Sequence, residues 1–278
     1  MGKHRIRNEL KAAEKELTRK RLVTVVYFLL RFFVLAVMVA QFFNGNFENV
    51  FLCGLTLLLF LMPTILERRL KIDLPDTLEI IILLFIFSAE ILGELNSFYI
   101  RVPHWDTVLH TLNGFLCAAV GFALVDMLNR SDRFSFRLTP HYLALVAFCF
   151  SMTVGVMWEF FEYGGDRFLG LDMQKDTVIH ALRTVELDPT RSNKVVAVRD
   201  IQEVILVHSD GTQQVLGLGG YLDVGLHDTM KDLIVNFIGA TVFSIIGFFY
   251  VRAKGQGRFA ARFIPRVLGA EQAQKNDM

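Results

Sequence analysis

Six long apolar runs, separated by short charged connections, constrain this chain more than any other feature. A helix needs about 20 apolar residues to cross a hydrocarbon core. Leu22 to Phe43, Val50 to Leu66, Thr77 to Leu95, Thr107 to Leu128, Tyr142 to Phe161 and Thr229 to Val251 each approach that length. Of the 278 residues 53% are apolar, yet 21% are charged, and those charges gather between the runs instead of covering one surface. The expected fold class is an all-α polytopic membrane protein with six transmembrane helices. A net charge of +1 removes any global electrostatic case for nucleic acid. Cys53, Cys117 and Cys149 fall inside apolar runs without a C-x-x-C pair, which excludes a disulfide framework and a zinc ribbon.

Lys and Arg orient the spans. With the N-terminus inside, the inner segments hold eight (residues 1–21), three (Arg68, Arg69, Lys71), three (Arg130, Arg133, Arg137) and six (after Tyr250); the short outer connections hold none and one, Arg101. Both termini are therefore expected in the cytoplasm, with the chain multi-pass in the cell (inner, cytoplasmic) membrane. The first run outlasts the apolar core of a signal peptide, about 7 to 15 residues, and reads as a retained anchor. Pro63 removes a backbone donor, so the second run should end early or kink. The organisation is a basic segment (1–21), which reads as a solvated or interfacial helix, then helices 1 to 5 (22–164), an insert (165–227), helix 6 (228–251) and a basic tail (252–278).

The insert between helices 5 and 6 has soluble character and, on this orientation, is extracytoplasmic. Glu203 to His208 and Gln213 to Leu218 alternate β-branched and polar residues around Ser209-Asp210-Gly211-Thr212, which predicts a hairpin in a small β-rich region. Gly217, Gly219 and Gly220 lack a following Lys-Ser or Lys-Thr on a helix and read as turn glycines.

Ionisable groups within a span cost about 2.5 to 3.5 kcal/mol each on insertion scales. Here they converge at one depth. Glu90 and Glu94 lie near the outer end of helix 3; Asp106, His110 and Asn113 at the outer start of helix 4; Glu159, Glu162 and Asp166 at the outer end of helix 5; Asp228, Asp232 and Asn236 at the outer start of helix 6. Offsets of three, four and seven put each of the last three sets on one helical face. Such stripes are expected to line an outward-opening cavity. Each acid alone also suits a cap or an interfacial anchor, Asp228 above all as an N-cap. Arg31 and Asp126, deeper in helices 1 and 4, are expected to pair.

Eight carboxylates face one imidazole, with only Arg101 and Lys231 as nearby bases, so positive charge must come from outside the sequence: a divalent metal, protons or a cationic substrate. Oxygen-rich ligation favours Mg²⁺, Mn²⁺ or Ca²⁺, with Zn²⁺ or Fe²⁺ as alternatives. The expected ligands are His110, Glu159, Asp166, Asp228 and Asp232, with Glu162 or Asp106 as general base and Glu90, Glu94, Asn113 and Asn236 completing the cavity.

The strings Trp105-Asp106-x-x-x-His110-x-x-x-Gly114, Gly155-x-x-Trp158-Glu159-x-x-Glu162-x-x-x-Asp166 and Asp228-x-x-x-Asp232-x-x-x-Asn236-x-x-Gly239-Ala240 resemble the YjdF-like family of bacterial inner-membrane proteins. The resemblance covers roughly Glu90 to Gly247 and implies a membrane fold and a residue set, with no reaction attached. The last string also resembles the closing helix of VanZ-like proteins, a family associated with glycopeptide resistance. The chain departs from the YjdF-like pattern in the longer, β-rich connection between helices 5 and 6.

Three function classes fit. The preferred one is a divalent-metal-dependent hydrolase or transferase acting on membrane lipids of the outer leaflet. A proton- or metal-coupled transporter would use the same acids, although carriers usually place their site near the midplane, at broken helices between repeats. An accessory protein would instead bind an extracytoplasmic partner through residues 165–227. No serine elbow, His-Glu-x-x-His box or nucleotide loop is present, which disfavours serine hydrolases, zincins and ATP-driven pumps. The oligomeric state is not legible.

Overall fold

The computed structural model describes residues 2–70, 72–129, 138–255, 260–264 and 266–267, and for residues 2–20, 70, 127 and 266–267 the backbone alone. Lys71, the inner-loop bases Arg130, Arg133 and Arg137, and the tail beyond residue 267 lie outside the described residues. The chain divides into two compact units, residues 1–155 with 235–278, and residues 156–234.

In the first unit, α1 (Gly2–Phe43) turns through Gly45 into α2 (Phe47–Leu59), followed by α3 (Met62–Leu70). The break between α2 and α3 follows from Pro63, which has no N–H for the Leu59 carbonyl; the Phe60 and Leu61 amides close the end of α2 and Ile65 resumes bonding to Leu61 at 2.9 Å. After β1 (Ile72–Asp73), α4 (Asp76–Phe87) passes without a gap into a π-helical segment, Ser88–Leu95, closed by the Asn96 amide bonding five residues back to Ile91 at 3.1 Å. A short α5 (Phe98–Arg101) leads to α6 (Trp105–Asn129) and then α7 (Pro140–Leu169). Beyond the second unit, α8 (Leu226–Arg252) returns, and the backbone of the tail pairs with β1.

Small residues make the closest packing. Ala118, Ala119 and Ala123 of α6, Ala147 of α7 and Ala240 of α8 are all at most 1% exposed, around Phe122 and Phe243. Gly114 lies against the Asn236 backbone, and Gly239 against the Thr111 carbonyl, so α6 and α8 approach backbone to backbone. Large apolar side chains face the other way: Phe28, Phe32 and Phe33 of α1 are exposed. In water that arrangement would be costly, and it is the distribution expected where hydrocarbon is the solvent.

Among the described residues, five stretches are long and apolar enough to cross a membrane: Arg21–Phe43, Phe47–Arg69, Trp105–Asp126, Pro140–Leu169 and Leu226–Arg252. The sixth expected run, Thr77 to Leu95, is helical throughout but changes winding at Ser88.

The second unit holds the end of α7, the insert and the start of α8. By helix ends the insert is 170–225, somewhat shorter than the expected 165–227. It is built from three two-stranded antiparallel sheets: β2 (Val178–Ile179) with β7 (Tyr221–Leu222), β3 (Leu182–Thr184) with β4 (Val196–Val198), and β5 (Ile205–Val207) with β6 (Gln213–Val215). The last is the expected hairpin, in register Ile205↔Val215 and Val207↔Gln213. Gly211 takes φ 84°, as its turn demands. Asp188, 5% exposed, organises the turn between β3 and β4 by accepting from the Thr190, Ser192 and Lys194 amides and both hydroxyls.

Candidate functional site

Position 106 falls in the first turn of α6 and position 110 one turn later, so their side chains share a face. Asp106 Oδ1 lies 3.3 Å from His110 Nε2, with the two side chains 24% and 12% exposed. One turn further along, Asn113 Nδ2 donates to Asn236 Oδ1 at 3.4 Å and Cys117 Sγ donates to Asn113 Oδ1. Asn236 is 1% exposed, lies against Gly155 and donates its Nδ2 to Met152 Sδ at 3.6 Å. The structure thus gives the polar stripe of α6 a carboxylate–imidazole contact and an amide pair. Glu90 and Glu94 occur on the π-helical segment, half-buried and exposed respectively. Arg31, expected opposite Asp126, has its guanidinium 4.2 Å from the Tyr27 ring on its own helix.

In the second unit Glu159, Glu162 and Asp232 are 5%, 8% and 2% exposed. Trp158 Nε1 donates to Glu162 Oε1 at 2.8 Å, fixing that carboxylate from one turn away. Lys231 Nζ stands 2.9 Å from Asp228 and 3.6 Å from Asp232. Asp166 accepts the Met173 and Gln174 amides at 2.5 and 2.9 Å, and Asp228 accepts the Lys175 amide at 2.8 Å. These two acids therefore hold the loop after α7, with lone pairs left over for another partner.

One pair escaped the sequence reading. Asp223 Oδ2 lies 2.5 Å from His227 Nδ1 and also accepts the His227 amide. Its signal was the same Asp-x-x-x-His spacing that singled out Asp106 and His110. Burial works against ionisation of Asp223, but the Thr177 and His227 amides and the His227 ring outweigh it and hold the carboxyl below its usual range. Asp176 moves up, chiefly by burial and then by the neighbouring charges of Asp172, Asp223 and Asp166. Asp188 is held well below the usual carboxylate range, first by the Thr190 hydroxyl, against burial, with help from the Lys194, Thr190 and Ser192 amides.

Residues 25–253 match the family described as "Predicted membrane protein (DUF2238)", which spans most of the chain, and the chain belongs to that family. The YjdF-like resemblance is consistent with this. An uncharacterised protein of Thermotoga maritima is 23% identical over 107 residues, 38% of this chain, and the chain spans about half, 53%, of that relative's length. No solved structure matches.

Proposed function

From the premise that this is a member of a family of predicted membrane proteins, we propose that Asp106 and His110 help hold a divalent cation and that the protein is a hydrolase or transferase for a membrane lipid. The observation that carries the reading is the Asp106–His110 pair at 3.3 Å on a helix built to cross a membrane, where an ionisable group is a functional candidate by default. Carboxylate oxygen with a single imidazole suits a hard or borderline divalent ion, with Mg²⁺, Mn²⁺ or Ca²⁺ ahead of Zn²⁺ or Fe²⁺. On residue type and spacing Glu159, Asp166, Asp228 and Asp232 are the further ligand candidates. Such an ion would polarise a phosphoryl or acyl oxygen, and Glu162, steadied by the Trp158 indole, would accept a proton from water.

In this proposal the run Thr77 to Leu95 is the sixth span, both termini are cytoplasmic and the β-rich insert is extracytoplasmic. The lipid then comes from the outer leaflet. Metal analysis of protein purified without chelators tests the site: near-stoichiometric divalent metal, lowered at least several-fold by His110→Ala and by Asp232→Asn, is expected. Protein without metal before and after these changes sinks the metal reading.

A second reading, a proton- or metal-coupled carrier, is favoured by one observation, the change of winding at Ser88 that carries Glu90 and Glu94, since carriers build ion sites at irregular helices. Flux of protons or metal into sealed proteoliposomes, set against turnover of a lipid panel, separates the two.

A further inference from the structure

The tail does not stay where α8 delivers it. Phe263 stands edge-on to the Phe115 ring at 5.4 Å, and Phe115 meets Phe243 edge-on at 5.1 Å. Phe115 falls midway along the stretch Trp105–Asp126, and Phe243 lies about 14 Å back along α8 from its end at Arg252. The chain after α8 therefore turns and carries an aromatic side chain about halfway into the thickness that these helices cross. Ile264, next in sequence, is 2% exposed, while Arg262 before it is exposed. α4 packs against the same turn of tail, Ala260–Arg262.

That turn is a single 3₁₀ turn, with the Phe263 amide bonded to the Ala260 carbonyl at 3.0 Å. Irregular backbone at membrane depth is tolerated only where protein buries it or water reaches it. The helices thus leave a cleft, and the chain's own tail fills it.

The hold on the tail is slight. Beyond Ile264 it is β1 paired with β8 (Arg266–Val267), in register Ile72↔Val267 and Asp73↔Arg266, and a two-stranded pair has little stability of its own. Charge supplements the pairing. Asp73, exposed, is the register partner of Arg266, and the charges of Glu67, Asp76 and Asp73 all act on Glu79 in the first turn of α4, so four acids gather where the tail enters. At the other end, Lys254 and Gly255 are exposed with φ 52° and 76°, a sharp turn on which the tail can swing.

We propose that Ala260–Ile264 is a releasable plug, closing a cleft among α4, α6 and α8 and latched by attraction between the tail's bases and the acids around β1. Release opens the cleft from the side on which α8 ends. Neither the metal nor the lipid of the reading above is needed for this.

Cysteine labelling of the full chain in phosphatidylcholine nanodiscs, open to reagent on both faces, tests the plug. Ile264→Cys is combined with Cys117→Ala and Cys149→Ala, leaving Cys53, which is 0% exposed. A water-soluble maleimide at low salt should modify Ile264→Cys several-fold more slowly than Arg262→Cys. Salt that screens exposed charges, or Asp73→Asn, should raise the slow rate several-fold with the melting temperature unchanged. Ala261→Cys, which removes no large apolar group, repeats the comparison in case position 264 tolerates no change. Cα partners across an antiparallel pair are about 4.5 to 5.5 Å apart, within disulfide reach. Asp73→Cys with Arg266→Cys should therefore cross-link on oxidation, and hydrogen exchange at the Phe263 amide should then lose its salt dependence. Labelling of position 264 as fast as position 262 at low salt, failure to cross-link, or a slow rate indifferent to both salt and Asp73→Asn overturns the proposal.

Discussion

The Ser151 hydroxyl donates to the Gly114 carbonyl oxygen at 2.7 Å, in a fully buried bond from α7 to α6. Gly114 also lies against the backbone of Asn236, so one residue without a side chain meets two neighbouring helices. Removing the hydroxyl leaves the Gly114 carbonyl its place in the helical ladder. Ser151→Ala should therefore cost about 0.5 to 1.5 kcal/mol, the usual net worth of one hydrogen bond, seen as a modest drop in melting temperature in detergent.

Added methyl groups at the helix crossing should do more harm. A Cβ at Gly114 would overlap the Asn236 carbonyl and one at Gly239 the Thr111 carbonyl, both rigid backbone. Gly114→Ala and Gly239→Ala should each destabilise by about 1 to 3 kcal/mol or more. Gly164, with open space around its Cβ position, is the control: Gly164→Ala should be neutral or stabilise by about 0.4 to 1 kcal/mol. Equal effects at the three sites would contradict the backbone-to-backbone crossing.

The insert should loosen in acid at a defined place. Asp188 is depressed from an ordinary value of about 3.9, so its contribution is complete above that value and is lost as pH falls below about 4 toward the lower folded value. Hydrogen exchange of the Thr190, Ser192 and Lys194 amides should accelerate over that range, and Asp188→Ala should give the fast rates already at neutral pH.

The loop after α7 depends on Asp166 in the same way. Asp166→Ala removes the acceptor for two amides at once, a local loss of about 2 to 3 kcal/mol. Faster exchange at Met173 and Gln174, with rates at Ile205 to Val207 unchanged, is the expected pattern.

The hairpin turn is the simplest case. Gly211→Ala places a side chain at φ 84° and should cost about 1 to 3 kcal/mol of local stability. Proteolysis between His208 and Thr212 measures it.

Much of the architecture was legible because it rests on local chemistry. Apolar runs mark α1, α6, α7 and α8, Pro63 marks the break after Leu59, and Asp-Gly marks the β5–β6 turn. The Asp106–His110 contact followed from a spacing of four. What stayed hidden depends on partners far along the chain or on a subtle winding. Nothing near Ser88 announces a π-helix, since its residues also suit an α-helix. Arg31 stands over the Tyr27 ring one turn away, a contact set by packing. Asp166 and Asp228 bond to amides of residues 173–175, because a loop's path, unlike a helix's, cannot be read from periodicity.

The wider coil between Ser88 and Leu95 also sets a phase. Each residue of an α-helix turns the chain by about 100° and each residue of a π-helix by less, so a return to the ordinary pitch at unchanged length would swing Phe98 and everything attached to it around the axis, whereas deleting one residue at the same time would offset most of that swing. Length and winding in this stretch together then set where the short helix Phe98–Arg101 stands.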